Sequence, residues 1–155
     1  MFRLQSEDAL KAAFRPKDAL LVEPPAGLKY PFAVLDYLSW VHPAGGGLVF
    51  IVFATPGGTP TGIAFTSNGG TTAAIAQMCD WCHTVGVGTQ VGLLTARLNA
   101  NKRVGMHLCA DLSCRQKIED EANRAGRSPV PALKKLVEKI GLFASSSLKI
   151  DLNRP

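Results

Sequence analysis

The sequence predicts a single α+β domain in which antiparallel β-hairpins combine with a few helices. The 155 residues are a common size for one domain and can bury roughly 70% of the surface that the unfolded chain exposes. Short runs of β-branched and aromatic residues alternate with loops rich in Gly, Pro and Asn, and helical patterns lie mainly near the C-terminus. No repeat or linker divides the chain, so one domain is expected over residues 1–155.

The N-terminal region carries one clear helix signal. A short helix is predicted from Ser6 to Phe14, with Ser6 as its cap, two acids in its first turn and Pro16 limiting it. The apolar and aromatic residues between Tyr30 and Val41 fit either a strand or a short helix, and the pattern leaves their conformation open.

Two β-hairpins follow in the middle of the chain. Residues 48–53 and 61–65 are β-branched and aromatic, and the breaker-rich loop between them predicts that they pair antiparallel. Residues 91–98 and 103–108 flank the polar turn 99–102, whose Asn residues tolerate left-handed backbone, and they predict the second hairpin.

Two helices are predicted after the second hairpin. Ser113 and Gln116 have the spacing of a capping box, and good helix formers continue to Arg124. The last helix is expected to begin near Pro131 and to end at Gly141. Its apolar stripe consists of Leu133, Leu136, Val137 and Ile140.

Composition and charge limit the classes of protein that fit. The chain has 46% hydrophobic and 19% charged residues, which is ordinary globular usage. Its net charge of +5 lies in the second half, because residues 97–140 contain ten Lys and Arg against five Asp and Glu. Such an excess of positive charge favours an acidic protein surface or a nucleic-acid backbone as the partner. Part of the excess can also balance a negatively charged metal site.

The chain shows no signal for export or for a membrane. Acidic residues stand near the start, where a signal peptide needs basic ones, and the longest strongly apolar stretch, residues 48–54, is far below the roughly 20 residues of a spanning helix. We therefore expect a cytoplasmic protein without a membrane partner.

The four cysteines form two close pairs, Cys79-x2-Cys82 and Cys109-x4-Cys114, with the second hairpin between them. Four thiolates suit tetrahedral Zn²⁺, and the order knuckle, hairpin, helix is that of a treble-clef zinc finger over about residues 79–124. One structural zinc ion held by all four cysteines is the prediction. His83 and His107 stand next to ligands and are expected beside the site rather than on the metal.

Four other interpretations of the cysteines remain open. Disulfides are possible, although a chain without an export signal is expected to meet a reducing cytosol, where paired cysteines more often mean metal or redox chemistry. Free cysteines often behave as small buried hydrophobes. Residues 79–83 also match the C-x-x-C-H sequence that attaches c-type haem, which would leave the second pair without a role. A thioredoxin-like C-x-x-C needs a helix directly after the motif, whereas residues 83–88 have the composition of a loop.

Catalytic patterns are missing from the sequence. It contains no H-E-x-x-H motif, no P-loop pattern and no recognisable Ser-His-Asp set. A closed four-thiolate site also leaves no open position for water or substrate. We therefore expect a binding protein that is not an enzyme and has no small-molecule substrate.

Two segments of the sequence resemble a known family. They are Cys-Asp-Trp-Cys-His at 79–83 and Val-Gly-Met-His-Leu-Cys-Ala-Asp-Leu-Ser-Cys at 104–114. They are similar to the C-terminal treble-clef domain of the FusB-type elongation-factor-G-binding proteins. The resemblance implies that the four cysteines are the zinc ligands and that the domain docks on elongation factor G. The additional N-terminal helical domain of those proteins is not expected in these 155 residues.

The sequence therefore favours a zinc-binding protein-interaction module whose partner is elongation factor G or another ribosome-associated factor. RNA binding, with ribosomal RNA as the partner, is the alternative because phosphate contacts need only well-placed Lys and Arg. Thiol redox chemistry is the third hypothesis. The candidate partner contacts are Arg97, Lys102, Arg103, Arg115, Arg124 and Trp81, although for Trp81 packing beneath the knuckle is slightly favoured.

Overall fold

The N-terminal part of the chain packs two short helices beside a two-stranded ribbon. The computed structural model describes residues 1–67, 75–87 and 90–152. Strand β1 (Phe2–Leu4), helix α1 (Glu7–Ala12) and helix α2 (Pro16–Ala19) precede β2 (Phe32–Val34), which pairs antiparallel with β1. The Ser6 side chain accepts a hydrogen bond from the Ala9 backbone N–H, so the predicted cap of the first helix is confirmed.

A first run of consecutive strands supplies three of the five strands of the central sheet. Strand β3 (Tyr37–Val41) pairs antiparallel with β4 (Leu48–Phe53), and β4 pairs antiparallel with β5 (Thr61–Ser67). The predicted hairpin of β4 and β5 is therefore confirmed. The segment left open between Tyr30 and Val41 holds two strands, β2 and β3.

The second hairpin completes the sheet. A short ribbon of β6 (Gln77–Met78) and β7 (Val85–Gly86) comes first, followed by β8 (Val91–Asn99) and β9 (Lys102–Cys109). Strands β8 and β9 pair as predicted, with a register irregularity between Arg97 and Asn99. The strand order of the five-stranded antiparallel sheet is β3-β4-β5-β8-β9.

Two helices close the chain, and two details of their prediction were wrong. Helix α3 spans Cys114–Arg124, but Ser113 has ψ of 22° and its side chain makes no capping hydrogen bond, because a cap needs extended backbone there. Helix α4 spans Val130–Leu142 and passes through Gly141 into a π-helical turn at Phe143–Ser147. A Cβ at Gly141 would lie 3.0 Å from the Thr55 side chain, so this glycine serves close packing rather than helix termination.

Both faces of the central sheet are covered around β4, which therefore contributes to two hydrophobic cores. On one face, Phe50 and Val52 pack against the N-terminal helices, and we call this cluster the N-terminal core. On the other face, Ile51 and Phe53 pack toward helix α4 and the cysteines, and we call this cluster the cysteine core. The N-terminal core comprises Leu4, Leu10, Ala13, Phe14, Val22, Val34, Trp40, Phe50, Val52 and Ala64. The cysteine core includes Val49, Phe65, Trp81, Leu94, Leu108, Leu136, Ile140 and Phe143.

The helices of the structure are short. Within the described ranges, none combines the length and the apolar composition needed to cross a bilayer.

Candidate metal centre

The first cysteine pair lies in a tight knuckle between β6 and β7. The Cys79 backbone N–H donates to the Thr84 carbonyl at 2.9 Å, and the His83 N–H donates to the Cys79 carbonyl at 2.8 Å. His83 adopts a left-handed φ of 63°, which turns the chain back toward β7. These hydrogen bonds direct the Cys79 and Cys82 side chains to the same side of the turn.

The second pair lies where a strand gives way to a helix. Cys109 is the last residue of β9, and Cys114 is the first residue of α3. Between them the Leu112 N–H donates to the Cys109 carbonyl at 2.9 Å, and Leu112 has a left-handed φ of 57°. This compact turn accommodates the four-residue spacing and brings the helix N-terminus to the site.

The four sulfur atoms converge on one point. All four Sγ atoms lie within 4.8 Å of one another, and the Cys79–Cys114 and Cys82–Cys109 pairs are 3.6 and 3.5 Å apart. Tetrahedral zinc with Zn–S bonds of about 2.3 Å separates its sulfurs by about 3.8 Å, whereas a disulfide needs about 2.05 Å. The free thiols therefore fit one structural zinc ion. Each of the two sulfur–sulfur contacts joins a cysteine of the knuckle to a cysteine of the second sequence pair.

The close approach of the four thiols to one another shifts their pKa values when no metal is bound. Hydrogen bonds from Cys109 and Cys114 lower the pKa of Cys79 to about 6. The hydrogen bonds that Cys114 exchanges with Cys109 and Cys79, together with burial, raise the pKa of the Cys114 thiol. Four thiolates cannot accumulate in this space unless a cation neutralises them. Bound zinc supplies that charge and holds the knuckle and the helix as one unit.

The geometry agrees with a comparison to known families. The model of the FBP C-terminal treble-clef zinc-finger family matches residues 9–144. The chain belongs to this family. A search of curated proteins finds no match to the chain. The family match reaches well before residue 79, so most residues of the N-terminal core lie within the matched range, and the resemblance noted for residues 79–114 is confirmed.

Neighbouring side chains complete the surroundings of the zinc site in this FBP zinc finger. Lys117 Nζ lies 3.1 Å from Cys109 Sγ, and Thr84 Oγ1 lies 3.3 Å from Cys82 Sγ. An ammonium at this distance stabilises a thiolate and offsets part of the charge of −2 that a four-thiolate zinc site carries, whereas the Thr84 hydroxyl oxygen accepts a hydrogen bond from the Cys82 thiol. Part of the basic excess in the second half thus serves the metal site.

The knuckle is attached to the edge of the central sheet by Asp80. Its backbone N–H donates to the His107 carbonyl at 2.8 Å, and its carboxylate accepts a hydrogen bond from the His107 N–H at 3.1 Å. His107 and His83 therefore lie beside the site, as expected. Their backbone, more than their rings, positions the cysteines.

Strand β3 is joined to the zinc finger by a buried tyrosine. The Tyr37 hydroxyl donates to the Leu112 carbonyl at 2.7 Å and accepts from the Arg115 backbone N–H at 2.9 Å. Burial raises the pKa of Tyr37, so the hydroxyl stays protonated and can donate. Sequence reasoning missed this link because no local pattern relates Tyr37 to a turn that begins at Cys109.

The candidate partner contacts do not form one group. Arg97 and Arg103 lie opposite each other on β8 and β9, with Lys102 beside them at the tip of the hairpin. The Arg103 guanidinium lies across the sheet and donates to Thr66 and Thr95. This cluster stands at the end of β9 remote from Cys109.

The other three candidates have different surroundings. Arg115 forms ion pairs with Asp36 at 2.9 Å and Glu119 at 3.0 Å. Arg124 is exposed at the end of α3. Trp81 is only 4% exposed and packs against Phe65 and Phe143, so the structure favours the packing interpretation of this residue.

Sequence reasoning also overlooked several residues around the zinc. Lys117 follows Cys114 by three positions, the spacing that puts two helical side chains on one face, and this signal was available. Lys139 donates to the Trp81 carbonyl at 3.2 Å and braces α4 against the knuckle. No sequence signal connects those two positions, which are 58 residues apart.

Proposed function

We propose that this FBP zinc finger is a protein-binding module whose partner is elongation factor G or another ribosome-associated translation factor. The observation that carries the proposal is the family match over residues 9–144, joined to the four clustered cysteines that lie within it. A partner of this kind places the protein in the cytoplasm.

The closed metal site supports a binding role without catalysis. Four cysteine ligands fill the tetrahedral coordination of zinc and leave no position for substrate or activated water. In the described part of the chain, no other group of His, Cys, Asp and Glu is arranged to hold a metal ion. The zinc ion is therefore assigned a structural role.

Exposed basic residues at the hairpin tip supply a surface for an acidic partner. Lys102 and Arg103 are exposed on β9, and Arg97, opposite Arg103 on β8, is half-buried, with its carbonyl accepting a hydrogen bond from the Arg15 guanidinium. Such clusters raise the rate of association with an acidic surface and fix its orientation.

RNA binding is the second candidate function, favoured by the same three residues. Phosphate contacts require only placed cations, and their strength falls steeply with salt. The described tip carries no aromatic side chain for base stacking, which single-strand binding modules use. Thiol redox activity has less support, because each sulfur of the first pair contacts a sulfur of the second.

The test is a calorimetric titration of the zinc-loaded protein with elongation factor G of the same organism. We expect saturable binding near micromolar or tighter, lost in Cys109→Ser and weakened in Lys102→Ala/Arg103→Ala. A parallel titration with ribosomal RNA separates the two candidates. Strong, salt-sensitive RNA binding without binding to the protein partner would favour the second function.

A further inference from the structure

A cleft of about 660 Å³ lies between α3, α4 and the zinc knuckle. Its size is within the range of sites that bind small ligands or short peptide segments. The cleft borders the cysteine site, but the cysteines fill their own coordination and do not require it.

The floor of the cleft is apolar. Ile118 and Ala122 are four residues apart on α3 and face Ala132 and Leu136, which are four residues apart on α4. Trp81 of the knuckle closes the floor from the third side. An apolar side chain entering this floor would be removed from water, which favours binding.

The rim of the cleft is predominantly basic. Arg127, Lys135 and Lys139 line it, and Glu121 is the one acidic residue among the described lining residues. Among the described residues, Arg127 and Lys135 are exposed and form no ion pair, whereas Arg15 and Arg115 are paired to carboxylates. Two cationic side chains without ion-pair partners among the described residues, beside an apolar floor, are suited to an acidic ligand.

The cleft is held open by a bridge from α4 to the knuckle. Lys139 Nζ lies 3.2 Å from the Trp81 carbonyl and 3.3 Å from His83 Nε2. Lys135 lies one helical turn earlier on the same side of α4, so its ammonium extends over the cleft without a similar partner. The bridge fixes the walls, and little rearrangement is needed on binding.

We infer that this cleft binds an acidic peptide segment with one or two apolar side chains, which insert between α3 and α4 while carboxylates meet Arg127 and Lys135. The inference rests on the proposed function in taking the partner protein as the natural source of the segment. It adds a docking site distinct from the hairpin tip.

The probe is the fluorescein-labelled peptide Glu-Asp-Leu-Phe-Asp-Glu, titrated into the zinc-loaded full chain and followed by anisotropy and by ¹H–¹⁵N chemical shifts. A second peptide has Ser-Ser in place of Leu-Phe. The test variant is Arg127→Glu/Lys135→Glu. The matched control is Lys17→Glu/Lys29→Glu, which changes the net charge equally in the N-terminal part of the chain, at residues outside both the cleft and the hairpin tip. All four side chains are exposed, so zinc content and Tm should remain at wild-type values in both variants.

We expect the first peptide to bind with shifts at the Trp81 indole, Ile118 and Leu136, and the Ser-Ser peptide to bind at least tenfold more weakly. The test variant should lose at least tenfold in affinity, and the control less than threefold. No binding at 1 mM, shifts confined to residues outside the cleft, or an equal loss in the control would overturn the inference.

The same variants separate this inference from the proposed function when elongation factor G is titrated. Loss of binding in the test variant would support both. Wild-type binding to elongation factor G by the test variant would overturn the cleft as the partner's site and leave the proposed function standing. Peptide binding in the cleft without any binding to elongation factor G would overturn the proposed function alone.

Discussion

The two faces of the central sheet are stabilised by different means. The N-terminal core consists of apolar side chains, and its centre is an aromatic cluster in which Phe14, Trp40 and Phe50 pack at centroid distances of 5.3 to 6.3 Å. The cysteine core also contains large apolar residues, but three of its four thiols are fully buried within it. Both cores use the same strand, β4, through alternate residues.

This difference shows where the fold depends on metal. Packing in the N-terminal core gains from apolar burial alone, whereas the cysteine core brings together thiols that repel one another when ionised. The knuckle and the turn before α3 are also held by the packing of Trp81 and by the Asp80 and Tyr37 hydrogen bonds, but only a cation removes the repulsion between ionised thiols at their centre. Zinc should therefore control the stability of one face far more than that of the other.

The largest effect is expected from breaking the metal site. Cys109→Ser leaves three thiolates and an open position, and structural zinc contributes about 10–16 kcal/mol of binding free energy coupled to folding. We expect loss of zinc and loss of hydrogen-exchange protection in β8, β9 and α3 before β1 and β2. Metal analysis with exchange measurements checks this. A variant with native zinc content and stability would refute the site.

The converse test removes an aromatic side chain from the N-terminal core. Phe50 is fully buried, so Phe50→Ala should lower the free energy of unfolding by about 3–5 kcal/mol through lost burial and a cavity. Zinc content should stay at one ion per chain, because Phe50 faces away from the cysteines.

Phe65→Ala is the matched control on the other face. Phe65 stacks on Phe143 at 5.8 Å and contacts Trp81 of the knuckle. Its loss should destabilise the protein similarly and also accelerate the exchange of zinc with a chelator. Equal zinc exchange rates in the two variants would contradict the division into two cores.

A smaller effect is expected at Gly62, where α1 approaches the sheet. The Gly62 N–H donates to the Ala13 carbonyl at 2.8 Å, and an added Cβ would lie 2.6 Å from the Phe14 ring. Gly62→Ala should therefore cost about 1–3 kcal/mol by overpacking, measured by urea unfolding. Gly105→Ala is the control, because there the nearest atom is a methyl of the half-exposed Leu93 side chain. An equal loss in both variants would contradict this interpretation.

The smallest effect concerns pH and the cysteine core. Zinc must displace the proton of Cys114, whose pKa is raised, and proton competition grows as the pH falls. Zinc affinity should therefore decrease by about tenfold or more from pH 7 to pH 6, about 1.4 kcal/mol per tenfold, and more steeply once Cys79 protonates below about 6. Competition with a chromophoric chelator at each pH measures the zinc affinity. Constant affinity over this range would mean that the thiols are already ionised without metal.

Much of the site could be predicted because its signals are local. The two cysteine pairs, the hairpin between them and the helix formers after Cys114 are short-range patterns whose physical meaning depends little on the rest of the chain. The helix end at Gly141 was predicted wrongly because the packing of this residue against Thr55 overrides its local preference. The capping box at Ser113 failed because Asp111 accepts the Ser113 N–H and the turn holds Ser113 out of the extended conformation.

By itself the sequence determined the metal ligands, the two hairpins and the α+β class, since each depends on residue types at fixed short spacings. Only the tertiary structure decided that alternate residues of β4 contribute to two different cores. It also decided that Tyr37 joins β3 to the turn after Cys109 and that Lys139 donates to the knuckle. The physical reason is that side-chain contacts over 58 or 75 residues arise from packing the whole chain, and no local pattern encodes them.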